Sequence, residues 1–306
     1  MWYNNNGYDI TAGRGSPFLK GSDILKKVIL GIDVGGSTTK IVGFQKNKNG
    51  RILIDPLLVR ATDAITSVYG AFGKFTMQND LQLSDIDRVL MTGVGSSFMD
   101  KPIYSLDCRK VSEFECVGRG GLFLSGLDEA VVVSMGTGTA LIHAKNVNGV
   151  TETKYLGGTG VGGGTLLGLS RKMLGVDTIE HLELLAAEGN LENVDLRICD
   201  ISNDNDFQIN ANLTASNFGK LSDIANANDV ALGIANMVAE TIAMLAVFAA
   251  RSFGIKKVVL TGNLTVLKSI TNVFEDLEPM FGIKFISPEM SQFATVIGAA
   301  LCEGEK

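Results

Sequence analysis

Short glycine-rich turns led in by apolar strands carry most of the chemistry available to this sequence. They fall at 33–38 (Asp33-Val34-Gly35-Gly36-Ser37-Thr38), 136–139 (Gly136-Thr137-Gly138-Thr139) and 261–263 (Thr261-Gly262-Asn263), and a longer glycine run occupies 157–164. Turns of this kind aim several backbone N–H groups at one point, and the missing Cβ atoms let a phosphate come close. The hydroxyls of Ser37, Thr38, Thr137 and Thr139 add donors. Asp33, closing the first strand, is the type of carboxylate that holds Mg2+ beside phosphates, directly or through water, and Lys40 can neutralise charge nearby. One such hairpin is usually only a hairpin; the repetition points to phosphate binding. Other nucleotide signatures fit less well. The Walker A pattern GxxxxGK[ST] is absent. Gly158, Gly160 and Gly163 satisfy GxGxxG with Asp177 beyond them, but the segment that follows reads as helix, without the second strand that would carry a ribose-binding acid.

The elements that must hold these turns follow from the apolar pattern. Residues 28–32 read as a strand, 39–44 as its hairpin partner and 51–59 as a third strand. A helix covers 62–78, a buried strand 88–91 ends at Thr92-Gly93, and another helix begins near Glu113. The opening motif then recurs: strand 130–135, Gly/Thr turn, return strand 140–144. VILGIDVGGSTTKIVGF and VVVSMGTGTALIHA share this architecture, and an internal repeat about a hundred residues apart predicts two related lobes. Helical segments at 165–174 and 178–188 come next, then a polar surface loop at 200–210 and a long helix at 229–253. Strand 257–260, a helix to about 280, strand 284–286 and a last helix 291–303 complete the pattern. Strands alternating with helices predict an α/β fold. The expected division is a flexible extension at 1–26, a first lobe at 27–122 and a second at 123–306, with the last helix a candidate to pack back across the boundary.

Composition narrows the function. Of the 306 residues 45% are apolar and 20% charged, and the 36 glycines suit an enzyme with many close backbone approaches rather than a disordered chain. A net charge of −6 without a Lys/Arg stripe argues against nucleic acid or an anionic membrane as partner. The apolar run 231–250 is long enough to span a bilayer, but Asn236, Glu240 and Thr241 interrupt it, so it reads as a buried helix. Cys108, Cys116, Cys199 and Cys302 form no CxxC and only His143 and His181 accompany them, so reduced thiols of a cytoplasmic protein are expected and a zinc site is not.

The segment 31–40, GIDVGGSTTK, resembles the first phosphate motif of the actin/hexokinase/Hsp70-like ATPase superfamily. Glu113-Phe114-Glu115, then MGTGT at 135–139, GGTGVGGG at 157–164 and NLTASNFG at 212–219 resemble type II pantothenate kinases in order and spacing, over roughly 28–301. The resemblance implies two duplicated actin/ribonuclease H-like lobes with a nucleotide cleft between them. It implies transfer of the ATP γ-phosphate to the primary hydroxyl of pantothenate, giving 4'-phosphopantothenate, the first step of coenzyme A biosynthesis. Carried over by position, Asp33, Gly35, Gly36, Ser37, Thr38 and Lys40 would contact ATP, with Asp33 on Mg2+. Gly136, Thr137 and Gly138 would bind phosphate, Gly163, Gly164, Thr165, Leu166 and Leu167 would line the nucleotide, and Gly262 and Asn263 would approach the adenosine end.

Glu113 matches the general base, which accepts the proton of the acceptor hydroxyl during transfer; read from its residues alone, it is a first-turn helix acid. Thr139, Lys154, Tyr155, Thr214 and Ala215 would meet pantothenate. Thr214 and Ala215 stand where the family's dimer partner reaches in, so a homodimer is implied, with the long helix a candidate interface. Two positions depart from the pattern: Tyr155 stands where an Arg usually grips pantothenate, and Asn212 where many members have Asp. Either Lys154 takes over the carboxylate or the acceptor differs. The alternatives are a sugar kinase of the same fold, an ATPase activator of radical dehydratases, whose cysteines hold an iron–sulfur cluster, and a nucleotide-binding regulator without catalysis.

Overall fold

A computed structural model describes residues 27–36, 38–47, 50–60, 63–99, 101–202 and 213–302. The expected extension 1–26, Ser37, Asn212 and most of the expected loop 200–210 lie outside the described residues. The chain runs through β1 (Val28–Val34), β2 (Thr39–Asn47), β3 (Gly50–Val59), α1 (Ala64–Gln78), β4 (Ile86–Thr92), β5 (Cys108–Lys110) and α2 (Glu113–Ser125). It continues through β6 (Glu129–Met135), β7 (Thr139–Val147), β8 (Val150–Thr159), α3 (Gly163–Leu174), α4 (Ile179–Ala186), β9 (Leu196–Arg197), α5 (Ile198–Ile201) and β10 (Thr214–Ser216). It ends with α6 (Ala227–Ser252), β11 (Lys257–Thr261), α7 (Lys268–Phe281), β12 (Lys284–Ile286) and α8 (Ala294–Leu301).

The expected duplication is written in the strand order. The first five-stranded sheet is ordered β3-β2-β1-β4-β5, and the second, read from its other edge, β8-β7-β6-β11-β12. Each places its third, second, first, fourth and fifth strands in the same succession. In the first sheet β1, β2 and β3 pair antiparallel, while β4 and β5 join β1 in parallel. The copies also agree where their fourth strands end. Thr92-Gly93 and Thr261-Gly262 carry the same residues, and both glycines have positive φ, 86° and 95°. A Cβ on Gly93 would lie 2.5 Å from the carbonyl oxygen of Val34, and one on Gly262 2.5 Å from that of Met135, so each fourth strand crosses the end of its first strand at a distance only glycine allows.

By packing, the described residues up to Val132, with Ile142–Tyr155 and those from Pro288 on, gather into one compact unit; Val133–Leu141 and Leu156–Ser287 gather into another. In the first unit β1 is covered on both faces, which explains its unbroken apolar run. Val28, Leu30, Ile32 and Val34 pack with Val68, Phe72 and Phe75 of α1, whereas Ile29 packs with Cys116 of α2 and Ala299 of α8. The final helix, expected within the lobe 123–306, is thus part of the first unit. Glycines make room for it: a Cβ on Gly120 would lie 1.8 Å from the carbonyl oxygen of Ala294, one on Gly298 1.8 Å from that of Cys116, and one on Gly31 2.4 Å from that of Val296.

The clearest difference from the sequence expectation is β8. It extends over Val150–Thr159, so the glycine run 157–164 begins inside a strand; its mostly exposed residues give the apolar pattern little to show. In the hairpin before it, Asn148 and Gly149 take φ of 52° and 82°, as a two-residue turn with left-handed centre requires. In the second unit the long helix is α6, started by a capping box between Asn226 and Asp229. By length and composition alone α6 would cross a membrane, but its apolar positions from Ala231 to Ala250 are largely buried, as in a core helix.

Candidate active site

The first unit brings Asp33, Lys40 and Glu113 to one region. Asp33 follows Ile29 and Gly31 by two-residue steps, so strand alternation puts it on the face covered by α2 and α8. Lys40 is its register partner on β2. The turn between them closes with the Gly35 N–H donating to the Thr38 carbonyl at 2.9 Å. Burial raises the pKa of the Asp33 carboxyl, partly offset by Lys40, and burial lowers that of Lys40, partly offset by Asp33. Glu113 opens α2, and its pKa is raised first by burial and then by the negative charge of Asp33. The expected metal carboxylate thus acts on the carboxyl of the expected base.

Lys40 is 5% exposed and its Nζ donates to the carbonyl oxygen of Gln292 at 2.7 Å. Beside Glu113, the ring of Phe114 stacks on Tyr155, with centroids 4.1 Å apart and planes 12° apart. Both rings are partly exposed, at 39% and 48%. Thr153, two residues back on β8, would be met at 2.7 Å by a Cβ on Gly118, so Thr153 and Tyr155 share the face turned to α2. Lys154 belongs to the opposite face. This pairing of Tyr155 with Phe114 left no trace in the sequence pattern. A cavity of about 510 Å³ opens on the other side of the same turn, lined by Gly35, Gly36, Thr38, Asp63, Val94 and Phe98, among others.

In the second unit the turn 136–138 and the head of α3 are bound backbone to backbone. The Gly136 N–H donates to the Gly138 carbonyl, Gly163 N–H to Gly136 and Gly164 N–H to Thr137, at 2.9, 2.9 and 2.8 Å. A Cβ on Gly162 would sit 2.8 Å from Cα of Gly138, so glycine is required for this contact. The Gly163 and Gly164 N–H groups are therefore committed to the turn and brace it. The Thr139 hydroxyl donates to the Val161 carbonyl at 2.9 Å, and Thr165 donates to Gly160 at 3.0 Å. Thr137 is exposed at the tip, Leu167 is partly buried, and Leu166 is wholly buried in the unit. Asn263, directly after Gly262, has an enclosed Oδ1 with no donor among the described residues.

Thr214 and Ala215 lie on β10, apart from these turns in sequence and held by a polar network. Asp195, 1% exposed, accepts from the Phe218 N–H and from Nδ2 of Asn236, both at 2.8 Å. Asn236 also donates to the Thr214 hydroxyl at 3.4 Å, and Asn217 donates to Glu240 at 2.9 Å. Asn236 and Glu240, two of the three polar residues that interrupt the long apolar helix, thus help dock the 213–219 stretch, whereas Thr241 donates to the Met237 carbonyl of its own helix. Thr214, Asn236, Glu240 and Arg197 line a cavity of about 370 Å³. Asp195 was not distinguished by its sequence context.

The duplicated sheets with glycine turns after their first strands define an actin/hexokinase-like fold, and solved structures share it. Component A of the (R)-2-hydroxyglutaryl-CoA dehydratase of Acidaminococcus fermentans matches with a TM-score of 0.63 at 20% identity, over 90% of this chain and 96% of that one. The activator of the 2-hydroxyisocaproyl-CoA dehydratase of Clostridium difficile, with bound ADPNP, matches at 0.60 and 20%, over 90% and 93%. A ROK family glucokinase of Streptomyces griseus, with glucose and AMPPNP, matches at 0.54 and 12%, over 89% and 98%. In sequence the chain is similar to type II pantothenate kinases. That of Bacillus cereus is 28% identical over 76% of this chain and 83% of its own length, and that of Staphylococcus haemolyticus 27% identical over 88% and 98%. Residues 129–278 match the family described as Fumble.

Proposed function

We propose that this chain is an ATP-dependent pantothenate kinase, transferring the γ-phosphoryl group of ATP to the primary hydroxyl of pantothenate in the first step of coenzyme A biosynthesis. The observation that carries this reading is the place of Glu113 at the head of α2, which covers the sheet face where Asp33 and its glycine phosphate turn lie, in a chain similar to type II pantothenate kinases along most of its length.

The residues fit the nucleotide and its metal. The enclosed, unpartnered Oδ1 of Asn263 is an acceptor in want of a donor at the expected adenosine end. A Cβ on Gly93 would lie 2.6 Å from Oδ1 of Asp33, so glycine there keeps that oxygen uncovered. No cluster of three or more His, Cys, Asp or Glu residues suits a metal among the described residues, and Mg2+ in such a site takes one carboxylate plus phosphate and water oxygens. In this reading Asp33 holds Mg2+. In the first unit Gly35, Gly36 and Thr38 would meet phosphate; in the second Gly136, Thr137 and Gly138 form a turn of the same type, which Gly163, Gly164 and Thr165 keep in shape. Bound ATP with Mg2+ supplies the electrophilic phosphoryl group. Glu113 accepts the proton of the acceptor hydroxyl, and burial, which raises its pKa, makes its carboxylate a stronger base than an exposed one. Phe114 and Tyr155 flank that base; Thr139, Thr214 and Ala215 belong to the acceptor side in this reading.

We also propose a cytoplasmic homodimer, supported by the place of Thr214 and Ala215 in the resemblance. The reading as a dehydratase activator rests on fold alone, because those structures are 20% identical. Its cluster needs accessible thiolates, whereas Cys116 and Cys302 are buried against each other with sulfurs 3.9 Å apart. Their contact and burial hold the Cys116 thiol far above its ordinary pKa. ADP release by purified protein, measured with and without pantothenate and with and without Mg2+, tests the proposal: dependence on both is expected, and release indifferent to pantothenate would refute it.

A further inference from the structure

Lys40 follows a phosphate-type turn on β2, yet its surroundings are those of an interior tether. It faces Asp33 across the β1–β2 register, so both side chains leave the sheet on the side of α2 and α8. It is 5% exposed, and its Nζ donates to the Gln292 carbonyl at 2.7 Å. Gln292 belongs to the 3-10 turn Ser291–Phe293, whose last residue caps α8. From there α8 runs against α2, with backbones brought together at Gly120 and Gly298. A continuous series of contacts therefore leads from Lys40 through the head of α8 to the helix that begins with Glu113. A lysine serving nucleotide phosphate needs its ammonium at a surface the ligand can reach. This ammonium is enclosed and bound to a backbone carbonyl at the head of α8.

We infer that Lys40 is a positioning residue: it fastens the head of α8, and through α8 the helix carrying Glu113, instead of contacting ATP phosphate. The inference rests on the kinase reading for the role of Glu113, but not for the state of Lys40 itself.

The test begins with the unaltered protein. Amine acetylation with acetic anhydride, followed by peptide mass analysis, should leave Lys40 unmodified both with and without Mg·ATP, while exposed Lys101 reacts. Modification of Lys40 that ATP suppresses would overturn the inference. The neutral variant Lys40→Met should bind ATP within about 3-fold of wild type by calorimetry. Its kcat, measured well below its melting temperature, should fall at least about 10-fold, and Lys40→Arg, which restores a donor, should recover part of it. Loss of ATP affinity by about 30-fold or more would make Lys40 a phosphate ligand, and a lower melting temperature with unchanged kcat would make it a structural residue only; either result overturns the inference. If Lys40→Met does not fold, the acetylation pattern decides between tether and phosphate ligand. If no acceptor is phosphorylated by the wild type, the kinase reading fails, while acetylation still reports on Lys40.

Discussion

Asp33 and Glu113, far apart in sequence, share an electrostatic environment on one face of the first sheet, and the charge of Asp33 helps hold the Glu113 carboxyl above its ordinary pKa. The proposed base is thus conditioned by the residue proposed to hold the metal. Because Glu113 must be ionised to accept a proton, the acid limb of kcat against pH is expected above the ordinary carboxylate range. Asp33→Asn, in so far as it turns over, should move that limb to lower pH; an unmoved limb would uncouple the pair.

The same shifts bear on stability, with a definite sign. A carboxyl whose folded pKa is raised binds its proton more tightly in the folded state. Its contribution is fully present below the unfolded pKa and is lost as pH rises through the folded one. Glu113→Gln, neutral throughout, should therefore melt higher than wild type at neutral pH, with the gap closing on acidification. Its kcat should fall by about 100-fold or more, as removal of a general base does. Parallel thermal scans and rate measurements across pH check both.

Asp33→Asn should weaken use of Mg·ATP by raising the Mg2+ concentration needed for half-maximal rate. A Mg2+ titration that matches wild type would remove Asp33 from metal binding.

Tyr155 stacks on Phe114 at the α2 head, a contact worth about 0.5–1.5 kcal/mol beyond area burial. Tyr155→Ala should lower kcat/KM for the acceptor several-fold with little change in the KM for ATP, and Tyr155→Phe should keep most of the activity. Tyr155→Arg gains a cation that can grip a carboxylate, so the KM for pantothenate should fall if the carboxylate lies against this wall.

Gly298→Ala puts a methyl group 1.8 Å from the carbonyl oxygen of Cys116, with backbone on both sides and no flexible side chain to yield. Overpacking of this kind costs about 1–3 kcal/mol or more, read as a lower denaturant midpoint, and separating α8 from α2 should reduce turnover as well. An unchanged midpoint would contradict the packing described.

Much of this arrangement was legible in the sequence where local chemistry and position agree. VILGID and VVVSM are buried on both faces and therefore read as strands, and Thr-Gly after each fourth strand marks a crossing only glycine permits. The place of Glu113 came from its motif, since a first-turn acid by itself has an ordinary structural meaning. Less visible were features set by distant partners. The last helix belongs to the first unit because Gly31, Gly120 and Gly298 leave space for it, and glycine spacing gives no hint of the partner. β8 is largely exposed and lacks an apolar face to announce it. Lys154 and Tyr155 are adjacent in sequence but lie on opposite faces, so strand parity, hidden while β8 was unrecognised, decides which of them stands beside α2.

The most direct measurement is the mass of the product formed from pantothenate and Mg·ATP by wild-type protein and by Glu113→Gln. The account predicts 4'-phosphopantothenate with matching ADP from the wild type, and little of either from Glu113→Gln although it still binds ATP. Equal product from both, or ATP consumption by the wild type without a phosphorylated acceptor, would contradict it.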